Sequence, residues 1–298
     1  MQLVTIMIHI DPARQSIRYL LVSCTLLLCC IPFAASNADE AAYRTLPLTQ
    51  PTPGGVVILN LGKPDSAKPK AQFNDIPVAV LETNAGWHAV VGIPLSTKPG
   101  QHQLDIVHDD GSTEAKTFQI ETKSYPEQHL TIKNKRKVNP NEEDMLRIRQ
   151  DRTDIANAKR YRHPVVLSTR LDLPVEGIRS SSFGSRRILN GQPRRPHGGM
   201  DIAAATGTPI FAPADAYVIE TGDYFFSGKC LFLGHGEGLQ TFYAHLSKIH
   251  VEPGEQVKRG QLVAEVGATG RVTGAHLHWS VGLNRTWVDP ELFLVDAK

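Results

Sequence analysis

Apolar positions along the 298-residue chain are spaced in four different ways. Over residues 19–35 they are nearly continuous, ending Ile31-Pro32-Phe33-Ala34-Ala35. From 54 to 122 they form short runs bounded by turn residues. Examples are Val56-Val57-Ile58-Leu59, Pro77–Leu81 and His88–Leu95, the last two separated by Asn84-Ala85-Gly86. Gln103–Val107 and Thr117–Glu121 flank a further turn, Asp109-Asp110-Gly111. Short β-rich runs at this spacing predict an immunoglobulin-like sandwich over 47–122, read as a spacer or docking module. Over 123–162 the apolar signal thins to Met145, Ile148 and Ile155 among many charges, which predicts a charged helical linker. Asn139-Pro140-Asn141-Glu142 reads as its start, with Asn139 as N-cap and Pro140 at the first helical position. From 163 to 298 short strands separated by Gly and Pro return, so the predicted fold class is mainly β.

The continuous run at the amino terminus follows Arg14 and Arg18 and precedes the small residues Ala34, Ala35 and Ser36. A basic flank, a short apolar core and a small-residue end describe an export signal over 1–36, cleaved after Ser36 or Ala38. A retained membrane anchor is the alternative, since the run is near the short limit for a bilayer core of about 30 Å. Three of the four cysteines fall in this segment, leaving Cys230 in the mature chain and no internal disulfide. Cys230 lies in the buried-strand run Cys-Leu-Phe-Leu and is read as packing.

Composition narrows the function classes. Lys+Arg total 32 against 30 Asp+Glu, a net of +2, which gives no electrostatic case for nucleic acid. A hydrophobic content of 41% excludes wholesale disorder.

Histidine placement carries the chemistry. Six of the twelve histidines fall between 197 and 278. His197-Gly198-Gly199-Met200-Asp201 reads as a loop entering the strand Ile202-Ala203-Ala204, with the glycines bending the backbone so that both side chains reach one ion. In His276-Leu277-His278, within a strand over 275–281, residues i and i+2 share a face and Leu277 points the other way. Two imidazoles and a carboxylate with one position left for water define a catalytic rather than a structural zinc site. Copper and nickel compete on intrinsic affinity. Spacing does not say which of His276 and His278 is the ligand.

Residues 177–294 resemble the lysostaphin/LytM-type zinc metallopeptidases of peptidoglycan. The matching elements include Ser182-Phe183-Gly184, His197–Ile202, Gly207-Thr208-Pro209-Ile210, Tyr243-Ala244-His245-Leu246, Gly267-Ala268-Thr269-Gly270 and His276-Leu277-His278-Trp279. The resemblance implies a two-layer antiparallel β domain. It also implies that His197, Asp201 and His278 hold one Zn2+ while His276 and His245 do the chemistry. His276 would be the general base, and His245 would donate to the developing oxyanion or orient His276. The tyrosine that some members carry shortly before the first ligand is missing from Gly184–Pro196. Arg186, Arg187, Arg194 and Arg195 bracket the first ligand, and Arg194 or Arg195 is expected to clamp stem-peptide carboxylates. His235 is assigned to packing or a turn.

The activity implied is endopeptidase cleavage of peptidoglycan stem-peptide crosslinks, D-alanyl–meso-diaminopimelate in a Gram-negative periplasm, by a monomeric periplasmic or secreted enzyme. The rival reading is a non-catalytic regulator of other wall hydrolases on the same fold. Such regulators typically lack ligands that this chain retains. A biotinyl-type carrier hairpin over 251–267 is set aside because Lys258 does not sit at a tight tip between apolar neighbours.

Overall fold

In the forepart, long apolar runs become strands buried on both faces. A computed structural model describes residues 46–63, 67–164 and 168–295, so the signal or anchor at 1–36 lies outside the described residues. Strands β1 (Val56–Gly62), β4 (Ala79–Thr83) and β5 (Gly86–Gly92) form one sheet, in the order β1-β5-β4. Strands β2 (Lys70–Phe73), β3 (Ile76–Pro77), β6 (Gly100–Val107) and β7 (Thr113–Ile120) form a second, in the order β3-β2-β6-β7. Val57, Val80, Ala89 and Val91 pack against Phe73, Leu104 and Ile106 between the two sheets. The opposite face of the first sheet, with Val56, Ala79, Leu81 and Val90, joins the core of the carboxy-terminal half. Burial on both faces explains why Val-Val-Ile-Leu and Ala-Val-Val do not alternate with polar residues. The β6–β7 hairpin extends beyond the predicted runs, because its outer face is polar and apolar patterning alone does not mark those ends.

The linker is not purely helical. Strand β8 (Glu127–Leu130) pairs in parallel with β10 (Arg186–Leu189), a departure from an all-antiparallel architecture. Helix α1 (Glu142–Ala158) starts two residues later than expected. Asn141, not Asn139, is the N-cap: its side chain accepts from the Asp144 N–H, and the Asp144 carboxylate accepts from the Asn141 N–H. That reciprocal pair satisfies two backbone donors that Asn139 and Pro140 leave unserved. Ile148 and Ala158 bury the inner face, and the Asp151 carboxylate accepts from the Phe225 N–H, which fixes α1 on the carboxy-terminal half.

That half contains β9 (Ile178–Ser181), β11 (Gln192–Pro193), β12 (Met200–Ala203), β13 (Pro209–Phe211) and β14 (Ala216–Tyr224). There follow β15 (Gly228–Gly236), β16 (Leu239–Leu246), β17 (Lys248–Ile249) and β18 (Gln256–Val257). The last are β19 (Leu262–Glu265), β20 (Leu277–Leu283) and β21 (Thr286–Val288). An antiparallel sheet runs β18-β14-β15-β16-β20-β12-β9, with β21 on β20. A smaller sheet, β13-β19-β17, lies over it and closes the main core between Leu231, Tyr243 and Trp279 on one side and Ile210, Val263 and Ala264 on the other. The reverse face carries Phe232, Phe242 and Ala244, packed under α1 with Trp287 alongside. The two halves also meet at Asn284, whose amide accepts from the Gly92 N–H at 2.6 Å and donates to the Gly92 carbonyl at 2.9 Å.

Candidate metal centre

Strand pairing assembles the site. Asp201 lies directly opposite His278 in the β12–β20 register, so the carboxylate belongs to the strand itself rather than to a loop ahead of it. Side chains paired across neighbouring strands have Cβ atoms about 5 Å apart. The two glycines serve close approach more than bending. Neither has a positive φ. A Cβ at Gly199 would stand 2.3 Å from the Trp279 carbonyl oxygen, so only glycine lets the start of β12 reach β20. His278 alternates with Leu277 and Trp279, which face the main core, and so emerges on the reverse face as the i, i+2 argument requires.

Three ligand-type atoms meet there. His197 Nε2, His278 Nδ1 and Asp201 Oδ1 are mutually 2.9 Å apart. His197 Nδ1 lies 2.9 Å from the Ser182 carbonyl. A carbonyl only accepts, so Nδ1 carries the hydrogen and the neutral ring turns a bare Nε2 toward the group. Ser181 Oγ, 3.2 Å from the same nitrogen, donates to Gln128 Oε1 in the linker strand. Ser280 Oγ stands 2.9 Å from His278 Nε2. Such outer contacts orient ligand imidazoles. Imidazole nitrogens and a carboxylate oxygen converging without enough hydrogens to bridge every pair fit a divalent cation of the zinc type.

Asp201 is buried yet ionised. Burial, the largest influence, pushes its carboxyl up, but the close contacts with His197 and His278 outweigh it and hold the group below the usual carboxylate range. Arg187 Nη2 donates to Asp201 Oδ2 at 2.6 Å. Burial pushes His278 down to about 4 although the Asp201 contact pulls the other way.

The two further histidines stand beside this group. His276 Nε2 is 3.7 Å from Asp201 Oδ1, and its Nδ1 donates to the Gly274 carbonyl at 2.9 Å. The His245 ring lies 4.8 Å from that of His276, and its Nδ1 donates to the Thr269 carbonyl at 2.8 Å. Both therefore present a bare Nε2 in the neutral state. Burial, joined by His278 and His276, pushes His245 down to about 3. His245 sits at φ +67, where β15 and β16 slip register between Lys229 and Leu231. That β-bulge re-aims the side chain toward the site.

Of the other sequence candidates, His235 is wholly buried, with Nδ1 on the Asp215 carbonyl and Nε2 2.9 Å from Thr241 Oγ1. Cys230 is buried, and burial pushes its thiol up. Among the bracketing arginines, Arg186 meets Glu127, Arg187 meets Asp201, Arg194 reaches the Val138 carbonyl and Arg195 is exposed. Sequence reading missed Arg187 as the partner of Asp201, although its place in a basic loop ahead of His197 was visible. It also missed Ser280, whose i+2 spacing from His278 was a usable signal.

A sheet that sets two imidazoles and a carboxylate together, with two further histidines alongside, defines a metallopeptidase-type centre. Residues 195–290 match Peptidase family M23, and residues 49–123 match the Peptidase family M23 N-terminal domain. The crystal structure of a peptidase M23 from Pseudomonas aeruginosa is 40% identical, with a TM-score of 0.71, over 84% of this chain and 97% of that one. The chain belongs to peptidase family M23. Among curated relatives, peptidoglycan DD-endopeptidase ShyA of Vibrio cholerae is 42% identical over 103 residues, 34% of this chain and 24% of ShyA. DD-carboxypeptidase/endopeptidase Mpg of Neisseria meningitidis is 39% identical over 111 residues, 37% of this chain and 26% of Mpg. The chain thus spans about a quarter of the length of the curated relatives it matches.

Proposed function

We propose that the protein is a zinc-dependent endopeptidase that hydrolyses D-alanyl–meso-diaminopimelate crosslinks of bacterial peptidoglycan outside the cytoplasm. The observation that carries this reading is the 2.9 Å triangle of His197 Nε2, Asp201 Oδ1 and His278 Nδ1. The peptidoglycan DD-endopeptidase activity named for ShyA supplies the substrate class. On this reading 163–298 is the catalytic domain, 47–122 an accessory sandwich and 123–162 the linker. The export signal read at 1–36 delivers the chain to the periplasm.

His197, Asp201 and His278 would hold the ion, which when bound polarises the scissile carbonyl and acidifies water. The chain's own residues then handle the protons. His276 Nε2, bare because Nδ1–H is engaged by Gly274, takes the proton of the attacking water and passes it to the leaving amine nitrogen. His245 is assigned the orienting role. Donation to an oxyanion would need a hydrogen on its Nε2, and burial, which pushes the ring down to about 3, opposes that. Arg187 keeps the Asp201 carboxylate turned toward the two imidazoles.

The test is metal analysis of the purified chain together with mass spectrometry of digested sacculi. One zinc per chain and crosslink-cleaved products are expected, with both lost in His278→Ala. Hydrolysis that survives in the metal-free variant contradicts the mechanism, and intact sacculi with the wild type would favour the regulator reading.

A further inference from the structure

We propose that Arg271, flanked by Arg187 and Arg194, forms a carboxylate-binding subsite beside the metal centre and selects peptides carrying a free carboxylate next to the scissile bond. The subsite rests on the peptidase reading above and names what that site recognises.

Three arginines from two segments meet beside the site: Arg187 and Arg194 flank the β10–β11 hairpin, joined by the Arg194 N–H donating to the Arg187 carbonyl at 2.9 Å, and Arg271 comes from the loop ahead of β20. Arg187 lies on β10 and holds Asp201. Arg194 precedes His197 by three residues and donates to the Val138 carbonyl at 2.9 Å. Arg271 lies two residues beyond Thr269, whose carbonyl fixes His245, and donates to the adjacent Lys137 carbonyl at 3.4 Å. Arg194 and Arg271 thus grip consecutive carbonyls of one linker turn. Burial pushes Arg271 down to about 10, and like-charge repulsion from Arg187 and Arg194 adds to the effect.

Among the described residues, two of the three charges have no counter-ion. His197, His278 and Arg187 share Asp201, while among the described residues no carboxylate lies within 4.0 Å of Arg194 or Arg271. Donors are spare as well. Arg194 spends its contacts on Pro193, Gln192, Val138 and Asn139, whereas Arg271 makes one long hydrogen bond out of five N–H groups. Arg271 also lies over the Phe226 ring at 4.4 Å, which fixes the plane of its fork and leaves the in-plane donors open. The Nε of Arg187 is buried with no partner. A planar carboxylate matches such a fork bidentately. In a D-alanyl–diaminopimelate crosslink, the carbon bonded to the scissile nitrogen carries a free carboxylate, the group this arrangement would hold.

The test uses the full chain carrying His276→Ala and calorimetric titration with two crosslinked muropeptide dimers. One has that carboxylate free and the other has it amidated. The free acid is expected to bind about tenfold more tightly, and adding Arg271→Met should bring the two within about twofold, with Arg271→Lys intermediate. Thermal melting confirms that each variant is folded. Equal binding of the two dimers, no binding of either, or a preference that survives Arg271→Met overturns the proposal. If the metal-loaded wild type fails to cut the dimer while the binding preference is present, the peptidase reading fails and the subsite stands.

Discussion

Asp201 shows how much one side chain settles. Its Oδ1 meets the His197 and His278 imidazoles and its Oδ2 meets Arg187. Losing Arg187 should loosen the carboxylate without removing a ligand. Arg187→Met is therefore expected to weaken zinc binding by about 10–100-fold, measured by competition with a chromophoric chelator. An unchanged affinity would mean that Arg187 does not orient Asp201. His235 offers a pH probe away from the candidate metal centre. Burial pushes it down to about 4 in the folded chain, whereas the unfolded side chain titrates near 6.5. Below that upper value the unfolded state takes up a proton that the folded state refuses, so stability falls as pH drops and levels off near 4. The full loss is roughly 3 kcal/mol. Melting midpoints between pH 7 and 4 should fall, and His235→Gln should flatten the slope. A slope identical to that of wild type would exclude His235 as its source.

Among the elements, strand β20 was the most legible, because a two-residue period over His276-Leu277-His278 declares which side chains share a face, although the strand itself begins at Leu277. The bulge at His245 was not. Nothing in Tyr-Ala-His-Leu marks a left-handed residue, a conformation that costs a non-glycine residue about 1–2 kcal/mol and is stabilised here by contacts remote in sequence. The His245 N–H finds the Ser227 carbonyl and its ring finds Thr269, neither of which local patterning could nominate. Helix α1 lies between these cases. Its existence was readable, but the competition between Asn139 and Asn141 was decided by which asparagine could pair reciprocally with Asp144. Asn141→Ala is expected to cost about 1 kcal/mol and to speed hydrogen exchange of first-turn amides, with Asn139→Ala nearly silent. Equal effects from both would relocate the cap.

For the whole molecule, the β character of the forepart was legible and docking was not. Apolar runs announced the forepart strands, yet the absence of alternation in β1 and β5 became meaningful only once both faces were seen to be covered. Parallel pairing of β8 with β10 was likewise hidden, since a four-residue edge strand in a charged linker carries no periodic signal. The clamp of Asn284 on Gly92 makes the two halves interdependent. Asn284→Ala would leave a buried N–H and a buried C=O without partners, at about 1–3 kcal/mol each. Differential scanning calorimetry should show a lower midpoint, with a separate low-temperature transition as the halves uncouple. A superimposable thermogram would argue against a shared transition.

With Asp201 and His278 as the proposed ligands, their facing would also make the β12–β20 pairing a vernier for ion capture. Sliding one strand by a single peptide unit would turn Asp201 inward and present Ile202 or Met200 in its place, while most of the hydrogen-bond ladder could re-form. One residue inserted after Gly199 would thus be enough to yield a folded, ion-blind chain.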